Sequence, residues 1–72
     1  MKLHKYELVI SWSAEDGVFV ADVPELPGCM AHGATPAAAV AHSQEAIDLW
    51  LDAARETGTP IPRPRARRSM LA

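Results

Sequence analysis

The first half of the chain alternates apolar and polar positions with the period of two that is typical of a half-buried β-strand. In residues 6–13, one face carries Tyr6, Leu8, Ile10 and Trp12, and the other carries Glu7, Ser11 and Ser13. Residues 18–23 alternate again, with Phe19, Ala21 and Val23 on one face. An Asp-Gly pair lies between these runs, and glycine supplies the positive φ of a tight hairpin turn. We predict two antiparallel strands.

The segment after the hairpin carries two prolines, which lack the N–H that a strand interior needs. Residues 24–28, Pro-Glu-Leu-Pro-Gly, are therefore predicted to form a rigid connector, called the turn block below. Residues 29–33 follow as a shorter strand, in which Cys29, Ala31 and Gly33 alternate with Met30 and His32. Three strands are thus predicted in the first half of the chain.

The second half changes to the period of an amphipathic helix. Thr35 is a suitable N-cap and Pro36 suits the first helical position, while Gly58 and Pro60 supply a stop signal. The predicted inner face carries Ala39, Ser43, Ala46, Ile47, Trp50 and Ala54, flanked by Val40 and Leu51. The predicted outer face carries Glu45, Asp48, Asp52 and Glu56. The small inner residues allow the helix to pack closely on a sheet.

These elements predict an α+β fold in which one helix packs on a three-stranded antiparallel sheet. After the helix, prolines keep the chain extended, and residues 65–71 are a candidate fourth strand, which gives the order β-β-β-α-β. We divide the chain into a folded domain at residues 1–62 and a basic Pro/Arg tail at residues 63–72.

The length of 72 residues leaves room for a single small core. A chain of this size buries only about 60% of the surface of its unfolded form, so we expect a homo-oligomer, either a dimer or a tetramer. Cys29 is the only cysteine, which excludes an internal disulfide and a zinc site built from the cysteines of one chain. No export signal or membrane span is recognisable. We therefore expect a cytoplasmic protein.

The net charge of −2 is unevenly distributed. Residues 1–62 hold nine acidic side chains against Lys2, Lys5 and Arg55, which leaves −6. A field of this sign favours a basic protein partner and repels nucleic acid. The candidates for nucleic-acid binding are the tail residues Arg63, Arg65, Arg67 and Arg68. They lack the aromatic companions that usually accompany such contacts.

The residue types needed for catalysis do not form a recognisable arrangement. The helix carboxylates lie in a row on a convex face, whereas a metal ion needs ligands that converge. The three histidines are scattered, and Cys29 has no basic neighbour in sequence that would activate its thiol, which favours a buried core cysteine. We expect no catalytic residue, metal or cofactor. The enzymatic alternative is a metal-dependent ribonuclease that uses Glu7, Asp22 and Glu45.

Several segments resemble the N-terminal domain of HicB-like antitoxins. They are Tyr6-Glu7-Leu8-Val9-Ile10, Gly17-Val18-Phe19-Val20-Ala21, Val23-Pro24-Glu25-Leu26-Pro27-Gly28-Cys29, Gly33-Ala34-Thr35 and Gly58-Thr59-Pro60-Ile61-Pro62. The resemblance implies a partial ribonuclease-H-like fold that oligomerises and caps a small basic HicA toxin, an mRNA-cleaving ribonuclease. Ala34, Ala37 and Ala38 stand where the family usually has acidic residues. Because no counterpart of the family's C-terminal DNA-binding domain is found, we expect a short form.

The leading hypothesis is an antitoxin-like protein that binds and masks a HicA-type toxin. The predicted contact residues are Glu45, Asp48, Asp52 and Glu56 on the helix and Glu25, Leu26 and Pro27 in the turn block. The alternative is an orphan oligomeric domain that binds some other protein and has no toxin. A basic reading frame of HicA size beside this one would separate the two hypotheses.

Overall fold

The computed structural model describes residues 4–64 as one antiparallel sheet with one helix. The strands are β1, Val9–Ser13, β2, Val18–Asp22, and β3, Met30–Gly33, and the helix is α1, Pro36–Thr57. The strand order is β1-β2-β3, and both neighbouring pairs are antiparallel. The predicted α+β fold, a three-stranded sheet with one packed helix, is confirmed. The candidate fourth strand at residues 65–71 lies outside the described residues.

The hairpin between β1 and β2 turns at residues 14–17, as the Asp-Gly pair predicts. Gly17 has a φ of 64°, a left-handed conformation that glycine adopts without steric penalty. Its N–H donates to the Ser13 carbonyl over 2.8 Å. The resulting register places Trp12 opposite Phe19. Their rings meet edge to face with centroids 4.9 Å apart, a favourable arrangement for aromatic side chains.

Both ends of α1 carry the caps that the sequence predicts. Thr35 is extended, and its hydroxyl accepts a hydrogen bond from the Ala38 N–H over 3.0 Å. At the other end, Gly58 has a φ of 72° and donates its N–H to the Ala54 carbonyl. These bonds satisfy backbone groups that a helix end leaves without an intrahelical partner. The predicted start at Pro36 and stop at Gly58 are confirmed.

The core lies between α1 and the sheet, where the helix packs across β3 and β2. Its buried cluster contains Tyr6, Val23, Leu26, Cys29, Ile47 and Leu51, with Leu8, Ala46 and Trp50 packed against it. The predicted inner face of the helix is largely confirmed, although Trp50 is only half-buried and Gln44 is buried. The side-chain Oε1 of Gln44 accepts a hydrogen bond from the His4 backbone N–H over 2.7 Å, so this buried amide has a polar partner.

β1 is more exposed than the alternation in residues 6–13 predicts. Tyr6 and Leu8 lie in or beside the core, but Ile10 and Trp12 are 37% and 56% exposed. The reason is the position of α1, which covers β3 and β2 and leaves β1 largely uncovered. The prediction that Ile10 and Trp12 belong to a buried face is therefore wrong.

The chain before β1 is held by individual hydrogen bonds rather than by strand pairing. The Tyr6 hydroxyl donates to the Pro62 carbonyl, and the Glu7 N–H donates to the Glu25 carboxylate over 3.0 Å. Residues 6–8 therefore follow the core without joining the sheet. The first strand begins at Val9, three residues later than the sequence pattern predicts.

Gly33 allows α1 to approach β3 very closely. A Cβ added at this position would lie 2.6 Å from the Ala39 backbone nitrogen and 2.7 Å from two atoms of Ala38. Side chains do not occupy such short distances, so the first turns of α1 rest directly on the β3 backbone. This contact fixes the height of the helix above the sheet.

We expect Gly33→Ala to lower the free energy of unfolding by about 1–3 kcal/mol, because the overlapping helix backbone cannot shift without moving α1 as a whole. Urea unfolding followed by circular dichroism measures this change. The control is Ala34→Ser at the neighbouring exposed position, which should change the free energy by no more than about 0.5 kcal/mol. A Gly33→Ala protein as stable as the parent would contradict the close contact.

Candidate protein-binding surface

The outer face of α1 carries a line of four carboxylates, called the acidic strip below: Glu45, Asp48, Asp52 and Glu56. All four side chains are exposed. Their spacing of three or four residues brings them to one side of the helix, opposite the buried Ile47, Leu51 and Ala54. At a rise of about 1.5 Å per residue, the strip is roughly 16 Å long. The structure thus brings together the four helix residues that the sequence selects.

Two side chains contact the acidic strip, His4 through a hydrogen bond and Arg55 through an ion pair. His4 Nε2 donates to Asp48 Oδ1 over 2.7 Å, and Arg55 Nη1 donates to Asp52 Oδ1 over 3.0 Å. The side chains of Asp48, Asp52 and Arg55 are all more than half exposed, so water weakens both pairs. The strip therefore keeps most of its negative field.

Leu49 lies within the acidic strip and is 71% exposed, more than the other large apolar side chains of residues 4–64. It stands four residues after Glu45 and three before Asp52, so carboxylates border it on two sides. It was not among the contact residues predicted from sequence, although a helical wheel shows an apolar residue on the polar face. An apolar side chain bordered by charge is the usual composition of a protein contact surface.

The turn block is held in one conformation by consecutive hydrogen-bonded turns. The Leu26 N–H donates to the Val23 carbonyl over 3.0 Å, and the Cys29 N–H donates to the Leu26 carbonyl over 2.9 Å. Gly28 has a φ of 79°, which only glycine adopts at little cost. The Val23 N–H donates to the Cys29 carbonyl over 3.0 Å and closes the loop. Together with the two prolines, these bonds make the predicted rigid connector.

The three predicted contact residues of the turn block differ in exposure. Leu26 is 0% exposed, so its side chain supports the block from the core and offers no surface to a partner. Pro27 is exposed, and its carbonyl accepts a hydrogen bond from Trp50 Nε1 over 2.9 Å. Glu25 is half-buried, and its carboxylate accepts from the Glu7 N–H. Pro27 and part of Glu25 therefore remain at the surface.

The turn block and the acidic strip lie on different sides of α1. Trp50, which holds Pro27, is on a flank of the helix, whereas the strip points away from the sheet. The Trp50 hydrogen bond connects the helix to the turn block. A partner on the outer face of α1 reaches Pro27 only by extending around the Trp50 flank.

Comparison with known proteins identifies the family. A family model described as a HicB-like antitoxin of a bacterial toxin–antitoxin system matches residues 6–71. The chain belongs to the HicB-like antitoxin family. The UPF0150 protein Ta0767 of Thermoplasma acidophilum is 37% identical over 62 residues, which are 86% of this chain and 88% of that protein. The UPF0150 protein ssl0259 of Synechocystis is 39% identical over 57 residues, which are 79% of this chain and 77% of that protein. No solved structure gives a significant match.

The family assignment confirms the resemblance found in the sequence and indicates an antitoxin role in a toxin–antitoxin system. The matched residues include the hairpin, the turn block and the whole acidic strip. The acidic strip of this HicB-like chain thus lies inside the matched region.

Other chemistry is sparse in the described part of this HicB-like chain. Among residues 4–64, no three His, Cys, Asp or Glu side chains gather closely enough to hold a metal ion. The carboxylates of the enzymatic alternative are on separate elements, since Glu7 precedes β1, Asp22 ends β2 and Glu45 is on α1. The helix within these residues lacks the apolar length that crossing a membrane requires.

The arginines considered for nucleic-acid binding belong mostly to the tail. Arg63 is exposed, and it directly follows Pro62, whose carbonyl accepts the Tyr6 hydroxyl hydrogen bond. Arg65, Arg67 and Arg68 lie outside the described residues. Nucleic-acid binding by these arginines therefore stays a prediction from the sequence.

Cys29 is buried beside the turn block, as the sequence predicts for a core cysteine. Burial raises the pKa of its thiol above the ordinary value, because the apolar surroundings disfavour the thiolate. The thiolate is the reactive form, so the native protein holds Cys29 in its unreactive state.

Trp50→Phe should lower the free energy of unfolding by about 1 kcal/mol, because it keeps a ring in place but removes the N–H that Pro27 accepts. Hydrogen exchange at the Leu26 and Cys29 amides should become faster, since the turn block loses its bond to α1. Urea unfolding and exchange monitored by NMR measure the two effects. Leu49→Ala, at an exposed position of the same helix, is the control. Unchanged exchange in Trp50→Phe would show that the block holds its shape without the helix.

The raised pKa of Cys29 predicts a loss of stability in alkaline solution. Above the ordinary value of 9.0, the thiol of the unfolded chain ionises while the native thiol stays protonated, so protons released on unfolding favour the unfolded state. The stability associated with the protonated native thiol is fully present below pH 9.0 and declines as the pH rises through the native pKa. Urea unfolding at increasing pH measures it, with Cys29→Ala as the comparison. Identical pH dependence in the two proteins would contradict the prediction.

Proposed function

We propose that this member of the HicB-like antitoxin family binds a small basic HicA-type toxin, an mRNA-cleaving ribonuclease, and covers its RNA-binding surface with the outer face of α1. Masking of this kind is steric and electrostatic and needs no reaction by the antitoxin. We place the interaction in the cytoplasm, where a single thiol such as Cys29 stays reduced.

The proposal rests mainly on the acidic strip, a continuous line of exposed carboxylates on a helix that is capped at both ends. A protein that binds RNA does so through positive side chains that contact phosphates. A row of carboxylates on a rigid helix attracts the same side chains and speeds their encounter. The charge that serves RNA binding in the toxin thereby becomes the charge that the antitoxin recognises.

Leu49 gives this surface an apolar centre. Its side chain is 71% exposed, so it is available to enter a pocket on the partner. Binding energy in protein interfaces is concentrated in a few such buried contacts, while charged rims mainly set specificity and association rate. We expect Leu49 to slow dissociation and the acidic strip to speed association.

The turn block adds a second, smaller contact. Pro27 is exposed at a backbone that is already fixed by turns and by Trp50, so little conformational entropy is lost when a partner packs on it. Glu25 extends the negative surface beside it, and the buried Leu26 acts by supporting both. A toxin that wraps around the Trp50 flank of α1 would meet both surfaces.

The test is co-expression with the product of an adjacent reading frame, followed by measurement of the dissociation constant. Glu45→Lys combined with Glu56→Lys should weaken binding by roughly 100-fold, because each change places like charges opposite one another. The matched control is Glu15→Lys combined with Asp16→Lys, which alters the net charge equally at the hairpin turn. It should weaken binding much less, and added salt should reduce the difference.

Two results would contradict the proposed function. One is recovery of no small basic protein with the purified chain. The other is equal weakening by both double variants, which would mean that net charge, and not the acidic strip, governs the association. Leu49→Lys supplies a further check, since it should increase the dissociation rate without changing the fold measured by circular dichroism.

A further inference from the structure

We propose that the face of the sheet opposite α1, called the open face below, binds a basic amphipathic helix of a second protein. This inference is independent of the proposed function, because the open face and the outer face of α1 lie on opposite sides of the domain. The centre of the open face consists of two cross-strand rows, Val9–Asp22–Met30 and Ser11–Val20–His32.

The strand β2 is apolar on both of its faces. Ala21 is fully buried on the side that α1 covers, so its neighbours Val20 and Asp22 point to the other side of the sheet. Val18 points to that side as well. A strand with one solvated face alternates apolar and polar residues, whereas apolar residues on both faces are typical of a strand that is covered on both sides. The open face thus has the composition of a packed surface.

The apolar side chains of the open face are accessible. Met30 on β3 is 58% exposed, and Val9 on β1 is 46% exposed. Val18 and Val20 between them are half-buried. Two shallow depressions of about 400 and 390 Å³ meet at Met30, and apolar side chains line most of both. A continuous apolar surface on a small domain is typical of a site for protein contact.

The carboxylate of Asp22 determines which kind of partner fits. Asp22 lies between Val9 and Met30 in the sheet and is half-buried. Within residues 4–64, its carboxylate has no hydrogen-bond or ion-pair partner, and the three strands carry no lysine or arginine. Covering a carboxylate with an apolar surface is costly unless a cation accompanies it. The occupant must therefore bring a lysine or arginine to Asp22.

The depression at the hairpin end combines apolar and acidic groups in the same way. Asp16 borders it beside Val18 and Val20, and the Asp16 side chain is exposed. Lysine and arginine lay an aliphatic stem on apolar surface while their charged ends remain in water. A basic residue at each end of the open face can therefore cover the valines with its stem and reach a carboxylate with its charged end.

The dimensions of the open face suit a single helix. With strands about 4.8 Å apart, Val9 and Met30 are separated by roughly 10 Å across the sheet, and the five residues of β2 span roughly 17 Å. An α-helix with its side chains is about 10–12 Å wide and rises about 1.5 Å per residue. A helix of about eleven residues, or three turns, covers the face. The occupant would mirror α1 and complete a helix–sheet–helix arrangement.

Other occupants suit the open face less well. Two copies of the chain in contact through this face would bring two Asp22 carboxylates into one apolar interface, with no lysine or arginine from any of the strands. Nucleic acids and anionic membranes carry phosphates that the same carboxylates repel. A basic helix satisfies both the apolar rows and the carboxylate between them.

An NMR titration of the full chain tests the proposal with a synthetic amphipathic helix of leucine and lysine, about 14 residues long. Amide shifts should change along β2 and β3. A comparison peptide with glutamate in place of each lysine keeps the leucine face and should bind roughly tenfold more weakly, because its charge is repelled. Shift changes confined to α1 around Leu49 would overturn the proposal, as would equal binding of the two peptides.

Substitutions separate the open face from the overall charge. Met30→Lys should weaken binding of the lysine peptide to β2 and β3 by roughly tenfold, because it removes the apolar centre and adds a like charge. Leu49→Lys is the matched control, since it adds the same charge at an exposed apolar position of α1, and the shift changes on β2 and β3 should persist. Equal weakening by both variants would contradict a specific open-face site.

A second substitution tests the role of the carboxylate. Asp22→Asn keeps the shape of the side chain and removes its charge, so the preference for the lysine peptide over the glutamate peptide should fall several-fold. An Asp22→Asn protein that keeps the full preference would overturn the assignment of the partner's cation to Asp22.

Methionine oxidation shows whether the open face is free in the isolated protein. Hydrogen peroxide transfers an oxygen atom to the thioether sulfur and gives the sulfoxide and water. Met30 should be oxidised rapidly in the free chain, and the lysine peptide should protect it. Mass spectrometry of proteolytic fragments separates Met30 from Met1 and Met70. Slow oxidation of Met30 without the peptide would overturn the proposal, assigning the face to residues 65–72 in a monomer and to a second copy in an oligomer.

Discussion

The close contact between α1 and β3 determines where the other surfaces of this domain lie. Gly33 has no side chain, so the first turns of the helix rest on the β3 backbone, and α1 is held over β3 and β2. A helix placed nearer to β1 would cover Ile10 and Trp12. In the observed position, the helix turns one face fully to solvent and leaves one strand uncovered.

The two surfaces that result differ in chemistry. The outer face of α1 is negative and carries its charge on a rigid helix, which suits a basic partner. The strand β1 carries no charged residue, and its side chains Ile10 and Trp12 are exposed.

The sequence predicts most of the secondary structure because local chemistry decides it. The Asp-Gly turn, the Thr35 N-cap and the Gly58 C-cap each depend on a few neighbouring residues, and all three are found. The burial of Ile10 and Trp12 was predicted wrongly because alternation shows which residues share a face but not how far the helix extends across it. That extent depends on the long-range packing of α1 on β3 and β2.

In the candidate site too, features set by local sequence are predictable and features set by long-range packing are not. The acidic strip is predictable, since a period of 3.6 residues brings its carboxylates together on a helix that the caps define. The exposure of the turn-block residues is not predictable from the sequence. Leu26 and Pro27 are adjacent in the chain, and only the fold buries Leu26 and exposes Pro27. Leu49 is recognisable in the sequence as an apolar residue on the charged face of the helix. This position indicates an exposed contact residue once the inner face of the helix is known.

The hydrogen bond from Tyr6 to the Pro62 carbonyl joins residues that are 56 positions apart in the chain. The first and last parts of the folded unit are thereby neighbours in space. Domains with adjacent ends tolerate circular permutation and insertion into loops of other proteins, because their cores do not depend on which bond of the backbone is open. This small fold is accordingly suited to serve as a transferable module, and sequences fused before residue 6 and after residue 62 would emerge side by side.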